Sequence, residues 1–185
     1  MKKFNVWMLA SSMVMSGMTL VSCNKVDKEA TAADHVKVEQ FLKQAATTDN
    51  FQLMAGMMAE DQSEKGSVGA LGQKIYHVHS RTTPVLAEIA KKKDVQLPAQ
   101  MGSEKKALVD SLENKKGEEF DQTFANLEVE AHEEAIAFYE KADKEVNDPD
   151  VQQFIDQILP VLKEHLAEAQ ELKNAVAQVD KTSKP

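Results

Sequence analysis

His132 and His165 lie symmetrically about the Asp148-Pro149 bond, inside Asn147-Asp148-Pro149-Asp150, the clearest turn signal in the chain. If the flanking segments are helices that fold back there, both imidazoles reach the same height. A histidine can bind a metal, pass a proton or respond to pH. His79 and Gln52 stand in the same relation about Lys65-Gly66, so a second hairpin could bring a third imidazole to that level. Glu128 precedes His132 by one helical turn and can share its ligand. Three imidazoles and a carboxylate suit zinc, iron or copper. His79, His132, His165 and Glu128 are therefore the candidate metal ligands, with Gln52, Asp121 and Tyr139 as supporting partners. The same residues could instead form an interior hydrogen-bonded network that keeps helices in register. Histidines that charge near pH ~6.5 and repel one another would be a third use of the cluster.

The elements that must carry these residues are legible in the spacing of apolar positions. The seam Asp121, Ala125, Glu128, His132, Ala135 and Tyr139 alternates steps of four and three, the period of a helix face turned to a partner. A greasier seam, Phe120, Phe124, Leu127, Ala131 and Phe138, runs beside it. This helix should follow Gly117 and run to about Val146. The next, 150–179, carries Phe154, Ile158, Val161, Leu162, His165, Ala169, Leu172 and Val176 on one face. Before them, a helix over 34–64 shows Phe41, Ala45, Thr48, Gln52, Ala55 and Ala59 in stripe, with Thr47-Thr48-Asp49-Asn50 as a weak spot. Met54, Met57 and Met58 beside the stripe read as core packing.

Lys65-Gly66-Ser67 is the expected turn, and a helix to Lys93 follows, with Val68, Leu71, Ile75, Val78, His79, Leu86 and Ile89 in its apolar arc. His77 points the other way. Pro84 should bend this helix one turn after His79, and Pro160 should bend the last one. Residues 94–117 form a long connection in which Ser103 can cap a short helix to Asn114. The expected fold is all-α: an antiparallel four-helix bundle whose long middle connection contains a short helix.

Aromatic residues make up 5% of the chain and charged residues 28%, and no run of alternating β-branched residues suggests a sheet. The formal net charge is −8, or −10 without Lys2 and Lys3. Such an acidic surface argues against nucleic acid as a partner.

Residues 1–22 read as a secretory signal: Lys2 and Lys3 open it, and a mostly apolar stretch follows, too short and too broken by Ser and Gly for a good spanning helix. It ends in Leu20-Val21-Ser22-Cys23, which resembles the box at which bacterial lipoproteins are cleaved and lipidated. Cys23 is the chain's one cysteine, so an internal disulfide is excluded. The expected partner is thus a membrane, reached through acyl chains on Cys23. Asn24, where an Asp would signal retention at the inner membrane, points by the same resemblance to the outer membrane of a Gram-negative cell. Residues 23–33 read as lipidated Cys and flexible tether, 34–180 as the folded domain and 181–185 as a disordered tail.

Several segments resemble the ferritin-like domain of unknown function 4142 of bacterial envelope proteins. Phe41-Leu42-Lys43-Gln44-Ala45-Ala46 is similar to its opening helix, and Gly117-Glu118-Glu119-Phe120-Asp121 to its Gly-x-x-Phe-Asp start. Leu97-Pro98 matches a Leu-Pro at the same distance from His79. Ala131-His132-Glu133-Glu134-Ala135 and Leu159-Pro160-x-Leu162-x-x-His165-Leu166 match its later helices and are the most specific. The resemblance spans residues 38–172. It implies a ferritin-like bundle, an envelope location and no established activity, with His79, His132 and His165 at the family's histidine positions. Two departures stand out: Gln52 where the family has Glu, and Val78 where it has Asp. With those acids gone and no paired Glu-x-x-His motifs, a di-iron carboxylate centre is not expected. Nor is catalysis, because no nucleophile is paired with a base. Two readings remain: an envelope protein holding one metal ion for storage, sensing or stress protection, or a non-catalytic structural or protein-interaction module with the histidines as internal struts.

Overall fold

The helical spacing of the sequence is carried into five helices in the computed structural model, which describes the backbone of residues 23–183 and the side chains of residues 31–178. They are α1 (Cys23–Gln62), α2 (Gly66–Lys92), α3 (Ser103–Glu113), α4 (Gly117–Glu145) and α5 (Pro149–Ser183). No strand occurs among the described residues. No helix among them is long and apolar enough to cross a membrane. The expected signal over 1–22 lies outside the described residues, and Cys23 is described in its backbone alone.

Residues 24–33 were expected as a tether but continue α1 as helix, because Lys25-Val26-Asp27-Lys28-Glu29-Ala30 holds no Gly or Pro to stop it. Side chains 31–37 are nonetheless all exposed, and burial begins at Val38. From there the stripe buries as its spacing requires: Phe41, Ala45, Thr48, Gln52, Ala55 and Ala59 all face inward. The methionines beside it do not follow. Met54 and Met57 are exposed, since their positions turn off the stripe, and Met58 packs against the core.

The first turn falls at residues 63–65, two residues before the expected Lys65-Gly66-Ser67. Ser63 ends α1 because its hydroxyl accepts the backbone N–H of Lys65 (3.1 Å) and donates to Asp121 Oδ1 (2.5 Å), local bonds that compete with the helix. α2 then runs back along α1, with Gly72 opposite Gly56. A Cβ on Gly72 would lie 2.4 Å from the Ala59 Cβ, and one on Gly56 2.7 Å from the Gly72 carbonyl oxygen. Only glycine permits that approach, and it locks the register of the pair. α2 continues through Pro84 as one helix, and α5 likewise through Pro160.

Gly102, not Ser103, holds the position before α3, and no side chain caps it. α3 lies against α1 and α4, where Lys105 pairs with Glu134 (2.5 Å) and covers the Phe51 ring at 5.5 Å. At the last turn the Asp148 carboxylate accepts from Asp150 N and Val151 N, and Pro149 takes the first helical position, where its missing N–H costs nothing.

The core divides in two. One cluster gathers Phe41, Leu42, Leu86, Tyr139, Phe154, Ile155 and Leu162. The other gathers Phe51, Ile75, Leu112, Phe120, Phe124 and Ala169. Each draws on α1, α2, α4 and α5. Between the two lies a layer of buried polar side chains, and all three interior histidines belong to it.

Candidate metal centre

Each of three helices carries one histidine into that layer, and a carboxylate comes from the fourth. His79 follows Leu71 and Ile75 on the buried face of α2; His132 lies between Val129 and Ala135 on α4; His165 between Leu162 and Ala169 on α5. His132 and His165 are fully buried and His79 is 1% exposed. One ring nitrogen from each falls within 4.8 Å of the other two. The His132 Nε2 and His165 Nδ1 atoms are 3.3 Å apart, so the expected fold-back at Asp148-Pro149 does bring these rings together.

On His79 and His132, the nitrogen that faces away from the cluster has its own partner. His79 Nδ1 lies 2.8 Å from Asp49 Oδ1. A carboxylate accepts, so Nδ1 carries the hydrogen and Nε2 keeps its lone pair. The other Asp49 oxygen accepts from the hydroxyls of Thr82 (2.9 Å) and Thr83 (3.1 Å), one turn along α2. His132 Nδ1 donates to the Glu128 backbone oxygen at 2.8 Å, which likewise leaves Nε2 as the acceptor. The Glu128 carboxylate approaches the same Nδ1, with Oε2 at 3.3 Å. His79 Nε2, His165 Nε2 and both Glu128 oxygens are buried with no hydrogen-bond partner, as is Gln52 Oε1. Buried polar atoms are seldom left so.

His165 is held neutral. Burial, reinforced by His132, His79 and Lys74, lowers its pKa from 6.5 to about 3. It therefore presents a lone pair at neutral pH without first losing a proton, as a metal ligand must. Tyr139 is held protonated well above its ordinary range, by burial and by the negative charge of Asp49.

The residues expected from sequence separate into three groups. His79, His132 and His165 meet. Glu128 is as buried as they are, yet it sits on the Nδ1 side of His132, away from the nitrogen that faces His165, so it backs a ligand instead of joining the set. Of the expected supporting residues, Asp121 is misplaced. It shares the seam but sits three turns earlier, roughly 16 Å along the axis, where Ser63 and Lys65 (3.5 Å) hold it at the first turn. Tyr139 packs among Phe41, Phe138 and Phe154, two turns beyond His132. Gln52 is buried but is not the α1 residue bonded to His79. That residue is Asp49, backed by Thr82 and Thr83, none of them expected from the sequence; it adds a second buried carboxylate to Glu128. The available signal was an Asp three residues before Gln52, on the same helical face.

The model of the family described as Domain of unknown function (DUF4142) matches residues 24–172. The chain belongs to this family. In shape, the DUF4142 chain is similar to the crystal structure of a DUF305 fragment from Deinococcus radiodurans, with a TM-score of 0.66 and 14% sequence identity over 77% of this chain and 96% of that one. At that identity the likeness concerns the all-helical fold alone. No curated protein matches the chain.

Proposed function

We propose that this DUF4142 chain is a lipid-anchored protein of the bacterial envelope whose four long helices form a ferritin-like antiparallel bundle that binds one transition-metal ion, zinc, copper or iron, through His79, His132 and His165. One observation carries the metal reading: three buried imidazoles from three helices converge within 4.8 Å, and His79 and His165 each keep a nitrogen without a partner. The Asp49–His79 bond is the kind of outer support that orients histidine ligands and raises their basicity. Three protein donors leave a coordination position for an exchangeable ligand, which suits storage, sensing or stress protection. Envelope anchoring is supported by Lys2, Lys3 and Leu20-Val21-Ser22-Cys23, and the outer membrane by Asn24. The exposed residues 31–37 of α1, ahead of the first buried position, suit a stalk between the acyl chains and the bundle.

Elemental analysis of the purified protein, with titration by Zn, Cu and Fe, tests the site. Binding at micromolar or lower concentration that His132→Ala abolishes is expected; no binding of any of the three would refute it. Membrane release on Cys23→Ser tests the anchor. The direct His132–His165 contact favours a second reading, in which the histidines only brace the helices. It requires His132→Ala and His165→Ala to lower stability equally with and without metal.

A further inference from the structure

Two buried carboxylates, Asp49 and Glu128, stand behind the histidines. We infer that the site is built for a divalent cation, and that Glu128 and Asp49 are the two counter-charges that make it so. The inference rests on the metal-binding reading above. The three imidazoles bring donors but no charge. Asp49 stands behind His79 at 2.8 Å, and Glu128 behind His132 at 3.3 Å. The first comes from the α1/α2 hairpin and the second from α4, so each hairpin contributes one carboxylate at the outer nitrogen of a ligand ring. Asp49 is 2% exposed and Glu128 0%. Among the described residues, no Lys or Arg comes within ion-pair distance of either. Lys74, whose charge His165 senses, is engaged at the surface by Glu164 and Glu168.

Two negative charges in a core without a cation are costly. A doubly charged ion held by three neutral imidazoles balances them, whereas a singly charged ion leaves one negative charge over and a triply charged ion adds one positive. The hydrogen-bonding state of Glu128 points the same way. Its carboxylate oxygens are both fully enclosed and unpartnered, so its folded environment is incomplete in a way that nearby positive charge would repair. It is a positioning and charge-balancing residue, since its contact is with Nδ1 of His132 and the ion would sit at Nε2.

The test compares a divalent and a monovalent ion on the same purified protein, with Zn2+ and Ag+ as probes. Glu128→Gln keeps shape and removes charge. It is expected to weaken Zn2+ binding at least tenfold and Ag+ binding less than threefold, and Glu128→Asp should restore most of the Zn2+ affinity. Equal losses for both ions, or a Glu128→Asp protein as weak as Glu128→Gln, would overturn the inference, and the second variant guards against a simple folding defect. A wild-type protein that takes Ag+ but no divalent ion would also overturn it while leaving the histidine site standing. One that takes neither would remove the metal-binding reading itself.

Discussion

In the α1/α2 hairpin, the carboxylate behind a histidine is satisfied: Asp49 takes the His79 Nδ1 hydrogen, and Thr82 and Thr83 lie within hydrogen-bond reach of its other oxygen. In the α4/α5 hairpin, His132 and His165 lean on each other, and the Glu128 carboxylate beside them has no hydrogen-bond donor. Unpartnered atoms occur in both halves of the layer, at His79 Nε2 and Gln52 Oε1 as at His165 Nε2, but only the α4/α5 half holds a carboxylate without donors. A bare carboxylate in a core is retained against a stability cost, so Glu128 marks where an added positive charge would be felt most. Asp49 presets one ligand; Glu128 holds free energy that binding can release.

The comparison breaks most visibly at Asp49. Asp49→Ala leaves the buried His79 N–H without its acceptor, while the Thr82 and Thr83 hydroxyls fall back on the His79 backbone oxygen at 3.2 and 2.8 Å, and should cost about 3 kcal/mol. Urea unfolding in the presence of a chelator measures it, and a loss under about 1 kcal/mol would mean that the Asp49–His79 bond does not hold the hairpin. Gly72→Ala attacks the same hairpin through its backbone. The new methyl carbon would meet the Ala59 Cβ at 2.4 Å, so α1 and α2 must separate, at a cost on the order of 2 kcal/mol. The Asp49–His79 bond spans that seam, so metal affinity should fall with stability. α5 contains no glycine and α4 only Gly117, at its first residue, so no equivalent substitution exists on the other hairpin.

Acid should act on the other hairpin. His165 titrates at about 3 in the fold and 6.5 when free. The unfolded chain takes up a proton that the folded chain excludes, so this contribution is complete above pH 6.5 and drains away as pH falls toward 3. Between pH 7.5 and pH 5 the metal-free protein should lose about 2 kcal/mol through this group. His165→Gln should flatten that slope. An unchanged slope in the variant would place the titration elsewhere.

Sequence periodicity reports which face of a helix is buried, and here it did so for His79, Glu128, His132 and His165 alike. It does not report height. Height along a hairpin is set by the turn, and the turn at 63–65 is made by Ser63, whose bond to Asp121 comes from a distant part of the chain. Placing the turn at Lys65-Gly66 moves the α1 residue opposite His79 by one helical turn, from Asp49 to Gln52. The second hairpin escaped this error because Asp148 and Pro149 mark its turn by local chemistry alone. Asp121 illustrates the same limit from the other side. It lies on the same seam as His132, but at the Ser63 turn instead of the histidine layer.

Glu128→Gln carries the smallest expected effect, and its sign separates the two halves of the layer. Both substitutions remove a buried acid within reach of a histidine Nδ1. At Asp49 the acid accepts the His79 Nδ1 hydrogen and has two threonine hydroxyls within reach, so its loss destabilises. At Glu128 the carboxylate has none, so replacing it with an uncharged side chain of the same shape should stabilise the metal-free protein by about 1 kcal/mol. Tm in the presence of a chelator should rise by about 2–4 °C. Saturating Zn2+ should reverse the order, because a ligand stabilises the native state in proportion to how far its concentration exceeds Kd, and the wild type is the tighter binder. If Glu128→Gln instead lowers Tm without metal, as Asp49→Ala does, Glu128 is satisfied in the resting protein and the two hairpins meet the layer on equal terms.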